Sequence, residues 1–137
     1  MRVAKEEGDF ETAIIFTEEN VKKNPSYHQG WLRLGYLQRE WAMRLRDSDP
    51  RKATSLFNEA IESLGKATGH SYDDQKARAF YERSKARYHL QRFAAPGSPA
   101  DENARKDAEE ALRLSPDQRY LTWVDYLNRS GPYGPRS

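Results

Sequence analysis

Small and apolar residues recur along the chain at a spacing of four and then three. Ala13, Thr17 and Asn20 make one such set, Ala53, Phe57 and Ala60 a second, and Ala104, Ala108 and Ala111 a third. At 3.6 residues per turn, each set falls on one stripe of a helix. Small side chains along such a stripe let a second helix come close. Two further helical patterns lie between these sets. Trp31, Leu34, Gly35, Gln38, Trp41, Ala42 and Leu45 share one face, with Gln38 as the polar intruder, and Ala77, Phe80, Tyr81, Ser84 and Tyr88 share another. Pro25 and Pro116 stand just past expected helix ends, where a missing N–H and a fixed φ discourage continuation. Asp47-Ser48-Asp49-Pro50 and the run 94–99 read as turns. Residues 119–127 predict a last helix, and 128–137, interrupted by Gly and Pro, a loose tail. The pattern therefore predicts an all-α fold of about six or seven helices in helix-turn-helix pairs, without a sheet.

The run Trp31-Leu32-Arg33-Leu34-Gly35, followed by Ala53, Phe57 and Ala60 and preceded at six residues by Pro25, resembles the tetratricopeptide repeat family. That family's unit of about 34 residues carries a W-x2-L-G…A…F…A…P skeleton. Glu102-Asn103-Ala104 through Leu114-Ser115-Pro116 looks like a second helix with its closing proline, and Gly8-Asp9-Phe10 like the turn into the second helix of an earlier unit. The resemblance implies a helix-turn-helix repeat solenoid over residues 1–127, with about three units and a C-terminal capping helix that covers the end of the stack. The repeats are divergent. Gly35 and Ala53 stand 18 positions apart, and Ser84 and Ala104 stand 20 apart, against about 12 in the skeleton, so the first helices should be lengthened. Arg83 occupies a position where a core Leu is usual. Trp31, Leu34, Ala53, Phe57 and Ala60 are expected in one core cluster. Ala4, Phe10, Ala13, Ile14 and Val21 are expected to pack on the helix that carries Trp31. An incomplete first unit would belong to a larger protein, and its apolar surface would be covered by an upstream segment or by a second copy in a homodimer.

Composition narrows the class. Charged residues are 32% of the chain, yet 3 Trp, 8 Tyr and 5 Phe are more aromatic mass than a disordered chain carries. Cysteine is absent, which removes disulfides, thiolate chemistry and cysteine-ligated zinc. No apolar run approaches the ~20 residues of a membrane helix, so no membrane association and a cytoplasmic location are expected. Catalytic candidates fail one by one. Gly65-Lys66 lacks both the earlier Gly and the following Ser or Thr of a phosphate loop, since Ala60 and Ala67 hold those positions. His28, His70 and His89 are distant in sequence and outside any metal-ligand spacing. His70-Ser71-Tyr72-Asp73-Asp74 groups triad residue types as loop neighbours, which rarely face one another. Asp73 and Asp74 suit a helix N-cap better. No enzyme activity, metal or cofactor is expected.

Charge says more once it is sorted by helix. Arg33, Arg39, Arg44 and Arg46 oppose Glu40, and Lys76, Arg78, Arg83, Lys85, Arg87 and Arg92 oppose only Glu82, giving +3 and +5. Residues 9–23 and 101–115 each sum to −2. In the family that the chain resembles, first helices line a concave groove and second helices form the back, so the resemblance implies a basic groove and an acidic back. Arg33, Tyr36, Arg78, Tyr81, Lys85 and Tyr88 are the expected contact residues, with Arg44 and His89 on the same helices. Arginine and lysine interleaved with aromatics suit an extended segment that bears carboxylates. The lysine-and-asparagine clamp of some family members is not matched, because the nearest positions carry Arg2, Arg33, Arg78 and Glu82. The function expected is a non-catalytic protein–protein interaction scaffold that binds an acidic or extended segment of a protein or peptide partner. The alternatives are a nucleic-acid-binding helical repeat and a regulatory fragment of a larger multidomain protein.

Overall fold

The computed structural model describes residues 2–95 and 101–129, with side chains from residue 8. Contacts expected of Ala4, the conformation of 96–99 and the tail beyond 129 lie outside these residues. Six helices account for the described chain: α1 (Arg2–Lys23), α2 (His28–Leu45), α3 (Pro50–Ala67), α4 (Asp73–Ala94), α5 (Glu102–Leu114) and α6 (Gln118–Arg129). No strand occurs among the described residues, and the fold is all-α. No helix among them is long and apolar enough to cross a membrane.

Local chemistry sets several of the helix ends. The Asp49 carboxylate accepts the Lys52 N–H at 3.3 Å and Pro50 takes the first helical position, where its missing N–H costs nothing. Asp101 caps α5 in the same way, accepting the Asn103 N–H at 2.9 Å. Two expectations are corrected. Asp73 and Asp74 lie inside the first turn of α4, preceded by Tyr72 at the cap position; there they offset the positive end of the helix dipole. Gly8-Asp9-Phe10 is not a turn, because α1 runs through it unbroken. A single glycine lowers helix stability by only about 1 kcal/mol, and the residues just before it, Ala4-Lys5-Glu6-Glu7, are good helix formers.

Each helix packs on the next along the chain, and α2 also touches α4. The helices α2 and α4 run for 18 and 22 residues. Two of the three predicted stripes form the core: Ala53, Phe57, Ala60, Ala104, Ala108 and Ala111 have no exposed surface, whereas in the first only Thr17 is buried, Ala13 being half-buried and Asn20 exposed. Gln38 is buried, and its side-chain carbonyl accepts the Ser63 hydroxyl at 2.8 Å, which satisfies the polar intruder across α2 and α3. Leu34, Ala53 and Phe57 share one cluster with Ile14, Val21 and Trp41, while Ala60 belongs to a second with Leu64. Trp31 was expected inside a single cluster. It is instead half-buried, packed against both, with its indole N–H on the Pro25 carbonyl at 2.8 Å. An indole needs a partner for that N–H, and the α1–α2 turn supplies it at the surface.

Ile14 and Val21 are buried and Phe10 stacks on Trp41, with centroids 6.4 Å apart, so α1 packs on α2 as expected. Its far side presents Ile15 and Phe16 at 52% and 67% exposure.

Ser84 joins three elements. Its hydroxyl donates to the Ala104 carbonyl at 2.6 Å and accepts the Trp123 indole N–H at 2.8 Å. This small polar pair fixes α6 against α4 and α5.

Candidate functional site

The position expected to hold a core leucine carries Arg83, and the structure shows what replaces the leucine. Asp107 of α5 is buried and accepts two bonds from Arg83, both at 2.9 Å, and a third from Arg87 at 2.8 Å. The Arg83 guanidinium also lies over the Phe80 ring at 5.3 Å. A forked pair of this kind satisfies both carboxylate oxygens and turns a missing apolar contact into a polar joint between α4 and α5. Neither arginine is therefore free to meet a ligand.

A second ion pair joins α2 to α4. Arg39 and Glu82 are both buried and meet at 2.7 Å. Arg39 also reaches Glu40 at 3.3 Å and lies over Tyr36 at 5.6 Å, while Glu82 takes Arg78 at 3.5 Å. A buried carboxylate of this kind needs a cation to offset its lost hydration, and here the cation comes from the neighbouring helix.

Beyond this joint a cleft of about 510 Å³ opens between the end of α2, the last two turns of α4, and α6. Arg46 and Asp47 line it from the α2 side, Tyr88, His89, Arg92 and Phe93 from α4, and Tyr126 from α6. A neighbouring cleft of about 300 Å³ shares Tyr88, His89 and Tyr126, and adds Tyr81, Arg119 and Trp123. The two form one groove. Its floor is aromatic: Trp123 and Tyr126 stack at 5.4 Å, and Tyr88 meets Trp123 edge-on at 5.2 Å.

The electrostatics of the groove are positive. His89 is pushed down to about 4, first by burial and then by the charges of Arg39, Lys85 and Arg46, so it is neutral near pH 7. Tyr88 is pushed up to about 12, first by burial and then by its contact with Tyr126, whose hydroxyl lies 2.6 Å away. Three glutamates meet between α1 and α3. Glu59 of α3 is raised by burial and by repulsion from Glu18 of α1 and Glu62.

The six expected contact residues divide into two groups. Tyr81 and Tyr88 line the groove, and Lys85 stands beside them with its ammonium 3.4 Å from the Tyr81 hydroxyl. Tyr88 is only 6% exposed, so it forms a wall and offers little free contact surface. Arg33, Tyr36 and Arg78 do not line the groove. Arg33 is exposed on α2, Tyr36 lies under Arg39, and Arg78 is tied to Glu82.

Arg46, Arg92, Arg119, Trp123 and Tyr126 also line the groove and are not among the expected contact residues. Carrying the Tyr81–Lys85–Tyr88 stripe one more turn along α4 reaches Arg92, and His89 already lay beside it. The α6 residues had no such signal, because only the docking of α6 places them here. The histidines also require a correction. His28 and His70 are brought together, with ring centroids 6.0 Å apart, and His70 Nδ1 accepts the Tyr72 N–H at 3.1 Å. Among the described residues, no group of three or more His, Cys, Asp or Glu could hold a metal ion.

No known family model, curated protein or solved structure matches the chain.

Proposed function

We propose that this chain is a non-catalytic scaffold of divergent tetratricopeptide-like repeats that binds an acidic, extended segment of a partner protein. The pairing of each helix with its successor, the lengthened first helices and the direct α2–α4 contact support the repeat reading. One observation carries the function. The groove presents Arg46 and Arg92 against a single lining carboxylate, Asp47, over an aromatic floor, with Arg119 beside them already paired with Asp117. Arginine forks take carboxylates in pairs of hydrogen bonds, and tyrosine and tryptophan add contact area at low entropic cost. Tyr81, Lys85 and Tyr88 form the α4 wall of this site. Arg33, Tyr36 and Arg78 extend the basic surface across the Arg39–Glu82 joint.

Fluorescence anisotropy with a labelled glutamate-rich peptide tests the reading. Binding should weaken as salt screens the exposed charges, and the Arg46→Glu, Arg92→Glu double variant should abolish it while leaving helicity unchanged. Normal binding by that variant refutes the groove. Preferential binding of a single-stranded oligonucleotide, stacked on Trp123 and Tyr126, would move the function to the nucleic-acid class.

A further inference from the structure

A carboxylate side chain would leave most of a cleft of about 510 Å³ to water. The cations around it also exceed what a single carboxylate satisfies. Arg46 comes from the end of α2 and Arg92 from the last turn of α4, with Asp47 as the acid among the lining residues. Arg39 and Lys85 stand close enough to act on His89 at the same wall. Arg39 is already matched by Glu82, but Arg46 and Arg92 are exposed. The Arg46 Nε donates to the Met43 carbonyl at 3.2 Å, and the Arg92 guanidinium lies over the Tyr88 ring at 5.9 Å. Neither arrangement neutralises a charge. The remaining walls are the rings of Tyr88, Phe93 and Tyr126.

We propose that this cleft is a phosphotyrosine pocket, in which the phosphate of a phosphorylated tyrosine on the partner segment is held by Arg46 and Arg92 while its ring packs among Tyr88, Phe93 and Tyr126. The inference rests on the scaffold reading above and names the residue that the partner would offer. A phosphate monoester carries about −1.5 to −2 charge near pH 7 and three acceptor oxygens, enough to engage two guanidinium forks at once. Its aryl group fills apolar volume that a serine phosphate cannot reach.

The pocket also contains a reporter. The charged groups that face His89 are Arg39 and Arg46 from α2 and Lys85 from α4, with Asp47 and Arg92 on the same cleft and Tyr126 opposite on α6. Burial first, and then these cations, hold the imidazole neutral. A bound dianion opposes the electrostatic part of that shift, so it moves the His89 titration upward.

The test compares four versions of one glutamate-containing peptide by calorimetry and anisotropy on the whole chain. They carry tyrosine, phosphotyrosine, serine or phosphoserine at a single central position. Phosphotyrosine should bind roughly tenfold or more tighter than tyrosine and tighter than phosphoserine. The His89 imidazole resonances, followed by NMR through a pH titration, should show a higher midpoint with the phosphotyrosine peptide bound than in the free chain. Arg46→Lys with Arg92→Lys keeps the charge but removes the forks, and should bring the ratio of phosphotyrosine to tyrosine affinity down towards one, with a smaller loss in binding of the tyrosine peptide itself. If the tyrosine peptide binds with the expected salt dependence but phosphorylation adds nothing, or adds as much on serine, the pocket is overturned and the scaffold reading stands. If none of the four binds, both readings fall.

Discussion

At Gly35 α2 runs tight against α3, and the same substitution at two glycines should have opposite signs. A Cβ at Gly35 would overlap Leu64 Cγ, lie 2.7 Å from a Leu64 methyl carbon, and stand 3.2 Å from the Ala60 carbonyl oxygen. Leu64 has no exposed surface and is held among Leu32, Ala60, Ala67, Ala79 and Ala86. It therefore has no route to swing aside, and the two helices must part. Overpacking of this kind costs about 1–3 kcal/mol, and the better helix propensity of alanine returns about 1 kcal/mol. Gly35→Ala should then destabilise by about 1–2 kcal/mol, lowering the melting temperature by roughly 3–5 °C per kcal/mol at this chain length. A Cβ at Gly8 would meet nothing within 4 Å, so Gly8→Ala should stabilise by about 0.5–1 kcal/mol. Urea titrations followed by far-UV circular dichroism measure both, provided the m-values agree. A double-mutant cycle identifies the cause. Leu64→Ala alone should cost about 2–5 kcal/mol, and clearly less in the Gly35→Ala background, because the new methyl occupies the vacated space. If Gly35→Ala is as stable as Gly8→Ala, or if the two changes at the α2–α3 contact are additive, the close approach is not what glycine provides there.

Asp107→Ala should destabilise the chain by about 2–4 kcal/mol, because it strands two guanidiniums that are only 19% and 21% exposed. Asp107→Asn should cost less, and equal stability of the alanine variant in the same urea titration would refute the polar joint. His89 should titrate near 4 by NMR, well below an unfolded value of about 6.5. Because the folded chain binds fewer protons there, the His89 contribution to stability is full above pH ~6.5 and is lost as pH falls through ~4. His89→Gln should flatten that part of the urea midpoint-against-pH curve, and an unchanged slope would refute the assignment.

The core was legible because small residues at four-then-three spacing leave few alternatives. Ala53, Ala60, Ala104, Ala108 and Ala111 are fully buried where the pattern puts them. Gln38 was recognised as an intruder, but its partner was not, since Ser63 lies on another helix and no local rule connects them. Arg83 marks the same limit. A charge on an apolar stripe reads as a break in register until a buried acid is known to face it, and Asp107 is 24 residues away. Gly8 failed for the opposite reason. Glycine was read as punctuation, although one glycine in a helix of 22 residues is a modest cost that neighbouring residues and packing on α2 can offset.

The groove shows how far charge counting reaches. Summing charges by helix found that α2 and α4 are basic, but it treated every cation as equal. Buried acids consume some of those charges: Arg39 goes to Glu82, and Arg83 and Arg87 go to Asp107. Those arginines hold the helices together and are lost to a ligand. The cations left to act, Arg46 and Arg92, lie toward the C-terminal end of α4, where Glu82 and Asp107 no longer reach and where α6 adds the aromatic floor, whereas Arg119 goes to Asp117. The proposed groove thus keeps Tyr81, Lys85 and Tyr88 of the expected set and leaves Arg33, Tyr36 and Arg78 outside its lining. A contact surface follows from which charges remain after the fold has used its share, and pairs distant in sequence decide that.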